Sequence, residues 1–249
     1  MSEAAISLKS VTKKYGEFQA VRNLTLNIAA GEIFGFVGPN GAGKTTTIRM
    51  ITGLAYPSSG VVEIKGLCYG QNALAIKRLI GYIPDRPYLY EKLTGREYLE
   101  FIRAVFSANG QPKDVDSYLS LFDLKDWSDE LVESYSHGMK QRLAFAGALL
   151  HDPQVIVVDE PMVGLDPKGI RLIKNLFKDL ASENVAIFLS THNLELAEQV
   201  CHNIGIIHEG QLLACDNILG LREQAALPES RLEDIFLRLT TEEIKSSDP

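Results

Sequence analysis

Apolar and polar residues alternate at the start of the chain, at Ile6 and Leu8 and more strictly at Leu24, Leu26 and Ile28. Side chains point to opposite faces along a strand, so this spacing predicts two half-buried antiparallel strands. Short continuous apolar runs follow. The first is Ile33-Phe34-Gly35-Phe36-Val37, and others cover 80–83, 155–158, 186–189 and 204–207. Strands covered on both faces read this way, which predicts a parallel sheet between helices. Between Ile83 and Val155 the period becomes helical. Thr94-Gly95-Arg96-Glu97 is a capping box, with Leu93 placed to staple onto Tyr98. Tyr98, Phe101, Ile102 and Val105 form one apolar stripe; Val115, Tyr118, Leu119 and Phe122 a second; Met139, Leu143, Ala146 and Leu150 a third. This all-helical block interrupts the strands and reads as a subdomain. Near the end, Ser230 and Glu233 suggest another capping box, ahead of Ile235, Phe236 and Leu239, and the polar 245–249 reads as a frayed end.

With 249 residues, the chain can bury about three-quarters of its unfolded surface, so folding requires neither a disulfide nor a metal. A hydrophobic fraction of 45% excludes disorder throughout. The longest apolar stretches, such as 143–150, fall short of the roughly 20 residues a membrane-spanning helix needs. Met1-Ser2-Glu3-Ala4-Ala5 lacks the basic start and apolar core of a secretory signal. Lys and Arg total 25 against 32 Asp and Glu, a formal charge of -7. Such a chain is not drawn to nucleic acid or an anionic membrane by its overall field, so work at a membrane requires a protein partner. Cys68, Cys201 and Cys215 form no Cys-x-x-Cys pair and read as buried free thiols of a reducing cytosol, a zinc site being the alternative.

The chemistry begins at Gly38-Pro39-Asn40-Gly41-Ala42-Gly43-Lys44-Thr45, which has the spacing of a phosphate-binding loop. An apolar strand feeds it, and a helix carrying Ile48 and Ile51 leaves it and stops near Gly53. Glycines let successive backbone N–H groups converge on one anion, backed by a helix N-terminus. Lys44 would reach the β and γ phosphates, and the Thr45 hydroxyl would bind Mg²⁺. The 155–158 run ends in Asp159 and Glu160. Alone, that is equally a solvated strand end. On the same sheet as the phosphate loop, Asp159 would hold Mg²⁺ through water and Glu160 would activate an attacking water.

Tyr135-Ser136-His137-Gly138-Met139-Lys140-Gln141-Arg142, just upstream, resembles the signature sequence of ATP-binding cassette (ABC) ATPases. Residues 15–213 look like an ABC nucleotide-binding domain with its motifs in order. Ser136 reads as a helix N-cap, which leaves free N–H groups at a positive helix end as a second anion site. The resemblance implies that Ser136, His137 and Gly138 serve the nucleotide of a second copy, so that two chains bury two ATP molecules head to tail. It adds Thr46 to the phosphate-loop contacts and makes Tyr15 the aromatic that stacks on adenine, although a partly exposed strand tyrosine would look the same. His192, after Phe188-Leu189-Ser190-Thr191, matches the switch histidine at the γ-phosphate. Gly164-Leu165-Asp166 matches the loop that crosses to the partner, while Asp166-Pro167 also makes an ordinary helix start. His151, His202 and His208 match nothing and read as surface or packing residues.

Three positions depart from the pattern. Asp85, in Ile80-Gly81-Tyr82-Ile83-Pro84-Asp85, stands where the family has a glutamine that touches Mg²⁺ and the attacking water. A carboxylate also ligates Mg²⁺, but adds repulsion against the γ-phosphate of about 3 kcal/mol at roughly 5 Å and an effective dielectric near 20. Altered metal affinity and slower or re-timed hydrolysis are expected. His137 replaces a glycine and threatens to crowd the partner's nucleotide, although helical angles do not demand glycine there. Gly147 replaces a commonly basic residue, at a cost of up to about 1 kcal/mol in a helix.

The resemblance implies an α/β fold: a P-loop NTPase (RecA-like) core at 31–85 and 151–213, an antiparallel β subdomain at 1–30, an inserted α-helical subdomain at 86–150 and a helical tail at 214–249. It implies an ATPase using ATP and Mg²⁺. Its partners would be transmembrane permease subunits, docked at Tyr88, Leu89 and Tyr90 unless these merely pack the subdomain, and a second ATP-binding subunit, identical or different. Nucleic acid is not expected as a partner. The expected location is cytoplasmic and peripheral, on the inner face of the cell membrane. The tail sequence Leu232-Glu233-Asp234-Ile235-Phe236-Leu237 looks most like bacterial exporters of the ABC-2 type. The rival readings are a non-transport ABC ATPase and a slow-turnover regulatory ATP clamp.

Overall fold

Strands β1 (Ala4–Tyr15) and β2 (Phe18–Ala29) form an antiparallel hairpin in the computed structural model, which describes residues 4–106 and 114–246 and, for 242–246, the backbone alone. Ile6, Leu8, Leu24, Leu26 and Ile28 are all buried, as their alternation predicts. β4 (Ser59–Ile64) and β5 (Leu67–Cys68) join them in a four-stranded sheet of order β2-β1-β4-β5. The antiparallel layer therefore also recruits 59–68, where only Val62 and Ile64 point inward and the sequence signal is correspondingly short.

All five continuous apolar runs are strands: β3 (Ile33–Val37), β6 (Ile80–Ile83), β7 (Val155–Asp159), β8 (Ala186–Thr191) and β9 (Asn203–His208). They pair in parallel in the order β9-β3-β8-β7-β6, and β10 (Gln211–Asp216) closes the β9 edge antiparallel. Alternate residues serve two separate cores, which is why the runs are apolar throughout. Phe34, Phe36, Val157 and Phe188 face the four-stranded sheet, α1 (Lys44–Ile51) and α2 (Tyr69–Leu79). Ile33, Val158 and Leu189 face α5 (His137–Leu149) and α6 (Pro167–Ser182), through Phe145 and Phe177.

The helical block contains α3 (Gly95–Phe106), α4 (Val115–Leu121) and α5. The capping box forms as read: Glu97 N donates to Thr94 Oγ1 at 3.1 Å, and Thr94 N donates to Glu97 Oε2 at 2.8 Å. The first stripe is only half buried, however. Tyr98 is buried, but Phe101 and Val105 are 43% and 59% exposed. α5 occupies the inside of the block, so α3 meets it along the single face of Tyr98, Leu99 and Ile102. The second and third stripes pack as predicted.

α7 (Leu194–Val200), α8 (Ile218–Gln224) and α9 (Leu232–Ser246) enclose a third core with β9 and β10. The expected Ser230–Glu233 box does not form. Only one half of a box lies one residue on, where Arg231 N donates to Asp234 Oδ2 at 3.2 Å. Leu232 N is taken instead by Glu198 Oε2 of α7 at 3.3 Å, a tertiary acceptor that no local pattern announces. The expectation of a frayed end falls on 245 and 246, which still belong to α9, and on 247–249, which lie outside the described residues. The cysteines are unpaired, but burial was the wrong expectation for two of them. Cys68 and Cys215 are exposed because β5 and β10 are edge strands, while Cys201 is half-buried.

Candidate active site

β3 runs directly into the 38–43 loop, which turns into α1. Gly43 has φ +109°, and a Cβ there would sit 2.5 Å from the Ala20 carbonyl oxygen, so only glycine fits. No side chain caps α1, which leaves its first N–H groups available to an anion. They border a cavity of about 350 Å³ lined by Asn40, Gly41, Gly43, Lys44, Thr45 and Thr46. Asp85, Asp159 and Glu160 supply its acidic wall, and Phe18 and Ala20 complete it. Gly38, Pro39 and Ala42 shape the loop itself; Lys44 Nζ donates to the Gly38 and Pro39 carbonyls at 2.7 and 3.1 Å. Burial lowers the Lys44 pKa, and the negative charges of Glu160 and Asp159 partly offset that effect.

The acidic wall is built just beyond β6 and at the end of β7, with hydroxyls from the end of β8. Thr45 Oγ1 lies 3.3 Å from Asp159 Oδ2, and the Ser190 hydroxyl donates to the other carboxylate oxygen. Burial raises the Asp159 pKa; the hydroxyls of Ser190 and Thr45 pull it back, and Glu160 and Asp85 push it further up. Glu160 sits at φ +50°, a left-handed conformation that turns the chain sharply out of the strand. Its Oε1 accepts the His192 backbone N–H at 3.0 Å and lies 2.8 Å from His192 Nδ1, while Thr191 Oγ1 donates to Oε2 at 3.1 Å. The structure thus brings Lys44, Thr45, Asp85, Asp159, Glu160 and His192 around one cleft.

The signature residues stand apart from the cavity lining of their own chain. Ser136 caps α5, its Oγ accepting from Met139 N at 3.3 Å, and Asp166 caps α6 through Gly169 N at 2.8 Å, with Pro167 in the first position. His137 is helical and exposed, and its ring lies on Gly164 of the same chain: a Cβ at Gly164 would be 2.1 Å from the imidazole. Gly147 receives the Tyr98 ring, 3.2 Å from where its Cβ would stand. Tyr15 ends β1 half exposed, with Lys13 Nζ 5.1 Å above its ring, and Phe18 pairs with it across the hairpin. The cavity-lining Phe18 escaped the sequence reading; its only signal is an aromatic residue just after the tight turn. Ser190 and Thr191, which orient the two carboxylates, were missed as well. They announce themselves only as hydroxyls ending an apolar strand. His202 packs as read, its Nδ1 accepting from Ile33 N at 3.1 Å.

The model of the ABC transporter family matches residues 21–163, more than half of the chain. The chain belongs to that family. It is 45% identical over 209 residues to the bacitracin transport ATP-binding protein BcrA of Bacillus licheniformis, covering 84% of this chain and 68% of the relative. It is 39% identical over 216 residues to the Nod factor export ATP-binding protein I of Paraburkholderia xenovorans, covering 86% and 71%. A solved ATP-binding subunit of an ABC transporter superposes with a TM-score of 0.90 at 30% identity, covering 95% of this chain and 99% of that one. The family's fold is the P-loop α/β cassette described above, and this ABC protein is an ATP-binding subunit with ATPase activity. No helix among its described residues is long and apolar enough to cross a membrane.

Proposed function

We propose that this ABC subunit hydrolyses Mg-ATP between two copies of the cassette and thereby drives export through separate permease subunits, working from the inner face of the membrane. The carrying observation is Glu160, held by His192 and Thr191 on the wall of the phosphate-loop cavity. That position suits a general base acting on a water in line with the γ-phosphate. The backbone N–H groups of the 38–43 loop and α1 grip the phosphates, and Lys44 leaves the Gly38 and Pro39 carbonyls for the β and γ oxygens. Tyr15 and Phe18 receive the adenine. Ser136 and Gly138 of the other copy close the site, and His192 holds the γ-phosphate. Phosphoryl transfer is mainly positioning and electrostatics, which this set of donors, cation and base supplies.

Thr45 and Asp159 offer two hard oxygen donors beside the phosphates, and Asp85 lines the same cavity. This donor set fits Mg²⁺, which prefers oxygen and keeps most of its shell as phosphate and water. When bound, the ion neutralises charge on the phosphate oxygens. Asp85 in place of an amide tightens the metal and repels the γ-phosphate, so Asp85→Gln raises kcat and shifts the Mg²⁺ dependence. Identical rates and Mg²⁺ profiles would refute that role.

A groove of about 470 Å³ between the core and the helical block supports permease docking; Tyr82, Pro84, Tyr88 and Leu89 line it, and Tyr88 is 94% exposed. Export is favoured because the Nod factor relative is named for that direction and the bacitracin relative for antibiotic transport. Steady-state ATP hydrolysis by the purified chain, with Glu160→Gln as the inactive control, tests the enzyme. Co-purification of an integral membrane protein tests the transporter.

A further inference from the structure

The switch histidine is mounted on a helix that the C-terminal tail holds. α7 begins immediately after His192 and Asn193: Asn193 Oδ1 caps it through Leu196 N at 2.9 Å, and Thr191 Oγ1 accepts from Asn193 N at 3.0 Å. The helix has seven residues, too few to be stable by itself, so its position is set by what it packs against. Its buried face is shared between two cores: Leu196 and Val200 belong to the core that holds α5 and α6, and Ala197 to the third core, with Leu221, Ala225, Leu232 and Ile235 of α8, α9 and their connection.

Glu198, on the same two turns, uses both carboxylate oxygens on the tail. Oε1 accepts from Arg222 Nη2 of α8 at 3.1 Å, and Oε2 accepts from Leu232 N, the first amide of α9, at 3.3 Å. Arg222 Nε donates in turn to Ser230 O at 2.9 Å, which fixes the α8–α9 connection. Both side chains are only one-quarter exposed, so the pair is better shielded than an ordinary surface ion pair. On its other side α7 is tied to α6, where Lys174 Nζ donates to Gln199 Oε1 at 2.6 Å. Contacts on both sides hold this short helix, which leads directly back through Asn193 to His192.

We infer that Glu198 is a positioning residue through which the C-terminal tail keeps His192 on Glu160. This rests on the reading of Glu160 and His192 as the hydrolytic pair. Loosening the tail from α7 therefore slows hydrolysis more than it weakens nucleotide binding, because the phosphate loop makes no hydrogen bond to α7 and His192 supplies only one of the γ-phosphate contacts.

The test uses the full chain with Glu198→Ala, Glu198→Arg, and Glu198→Arg combined with Arg222→Glu, each checked for folding by thermal denaturation. Glu198→Ala should lower kcat roughly tenfold, the scale expected when a catalytic group is slightly misplaced. KM for ATP, and equilibrium ATP affinity measured in the Glu160→Gln background, should change by much less than kcat. Glu198→Arg should be worse, and the exchanged pair should recover part of the rate, because it restores the ion pair but leaves Leu232 N without its acceptor and Ser230 O without its donor. The imidazole NMR resonances of His192 should shift in both single variants and move back toward the wild-type positions in the exchanged pair. Unchanged kcat and resonances in folded Glu198→Ala, equal losses in KM and affinity, or no recovery in the exchanged pair would overturn the inference. A wild-type chain that hydrolyses no ATP would overturn the hydrolytic reading alone, since the His192 resonances report the coupling without turnover.

Discussion

Individual residues around the cleft are set against their ordinary behaviour. Asp159 holds its proton to higher pH than an exposed aspartate because burial disfavours the carboxylate. As pH falls, the charged form through which Asp159 is proposed to hold Mg²⁺ is therefore lost earlier than that of an unperturbed carboxylate. Ser190→Ala removes a hydrogen bond that favours the charged form, so the acid limb of Mg²⁺-dependent ATP binding should move to still higher pH. A limb that stays in place would show that Ser190 does not tune Asp159. Gln141 presents a second anomaly. It is fully buried on α5, and neither amide atom has a hydrogen-bond partner. An unsatisfied buried polar group costs about 1–3 kcal/mol, so Gln141→Leu should raise the melting temperature of the nucleotide-free chain. A fall would mean that the amide is satisfied in the resting protein.

Among the elements, α5 and the 161–166 loop meet closely beside the signature cap. Gly164 has φ +78°, and its missing Cβ makes room for the His137 ring. Gly164→Ala meets both obstacles and should destabilise the chain by about 1–3 kcal/mol. Adding His137→Gly relieves the steric part and leaves the backbone part, so chemical denaturation should show partial recovery. Complete recovery would mean that the backbone conformation costs nothing. The departure of His137 from the family pattern thus has a local account: its ring packs on its own chain. Capping was legible at Thr94, Ser136 and Asp166, where donor and acceptor are close in sequence, but the equally local caps of Asp114, Asn193 and Asn217 went unread. It was misread at Ser230, where Glu198, distant in sequence, supplies the acceptor.

For the whole molecule, the signature cap lies outside the lining of the phosphate-loop cavity of its own chain, so the proposed site is completed by a second copy. ATP should convert Glu160→Gln from monomer to dimer in size-exclusion chromatography, because binding persists while hydrolysis stops. Ser136→Arg in that background should abolish the dimer and leave ATP affinity of the single chain intact. Persistence of the dimer would remove the signature from the interface.

The two opening strands and the five buried strand runs, the loop glycines with Lys44 and Thr45, and the paired Asp159 and Glu160 were readable along the chain, but not the order of strands in either sheet. Hydrophobic period, turn chemistry and motif spacing are local properties that adjacent residues carry together. Tertiary structure alone decided which face of α3 is covered, that 59–68 joins the first sheet, and that edge strands expose Cys68 and Cys215. It also decided that Ser190 and Thr191 orient the carboxylates and that Glu198 binds the tail. Each of these depends on groups distant in sequence that meet only when the sheets close, and burial and hydrogen bonding are settled by that meeting.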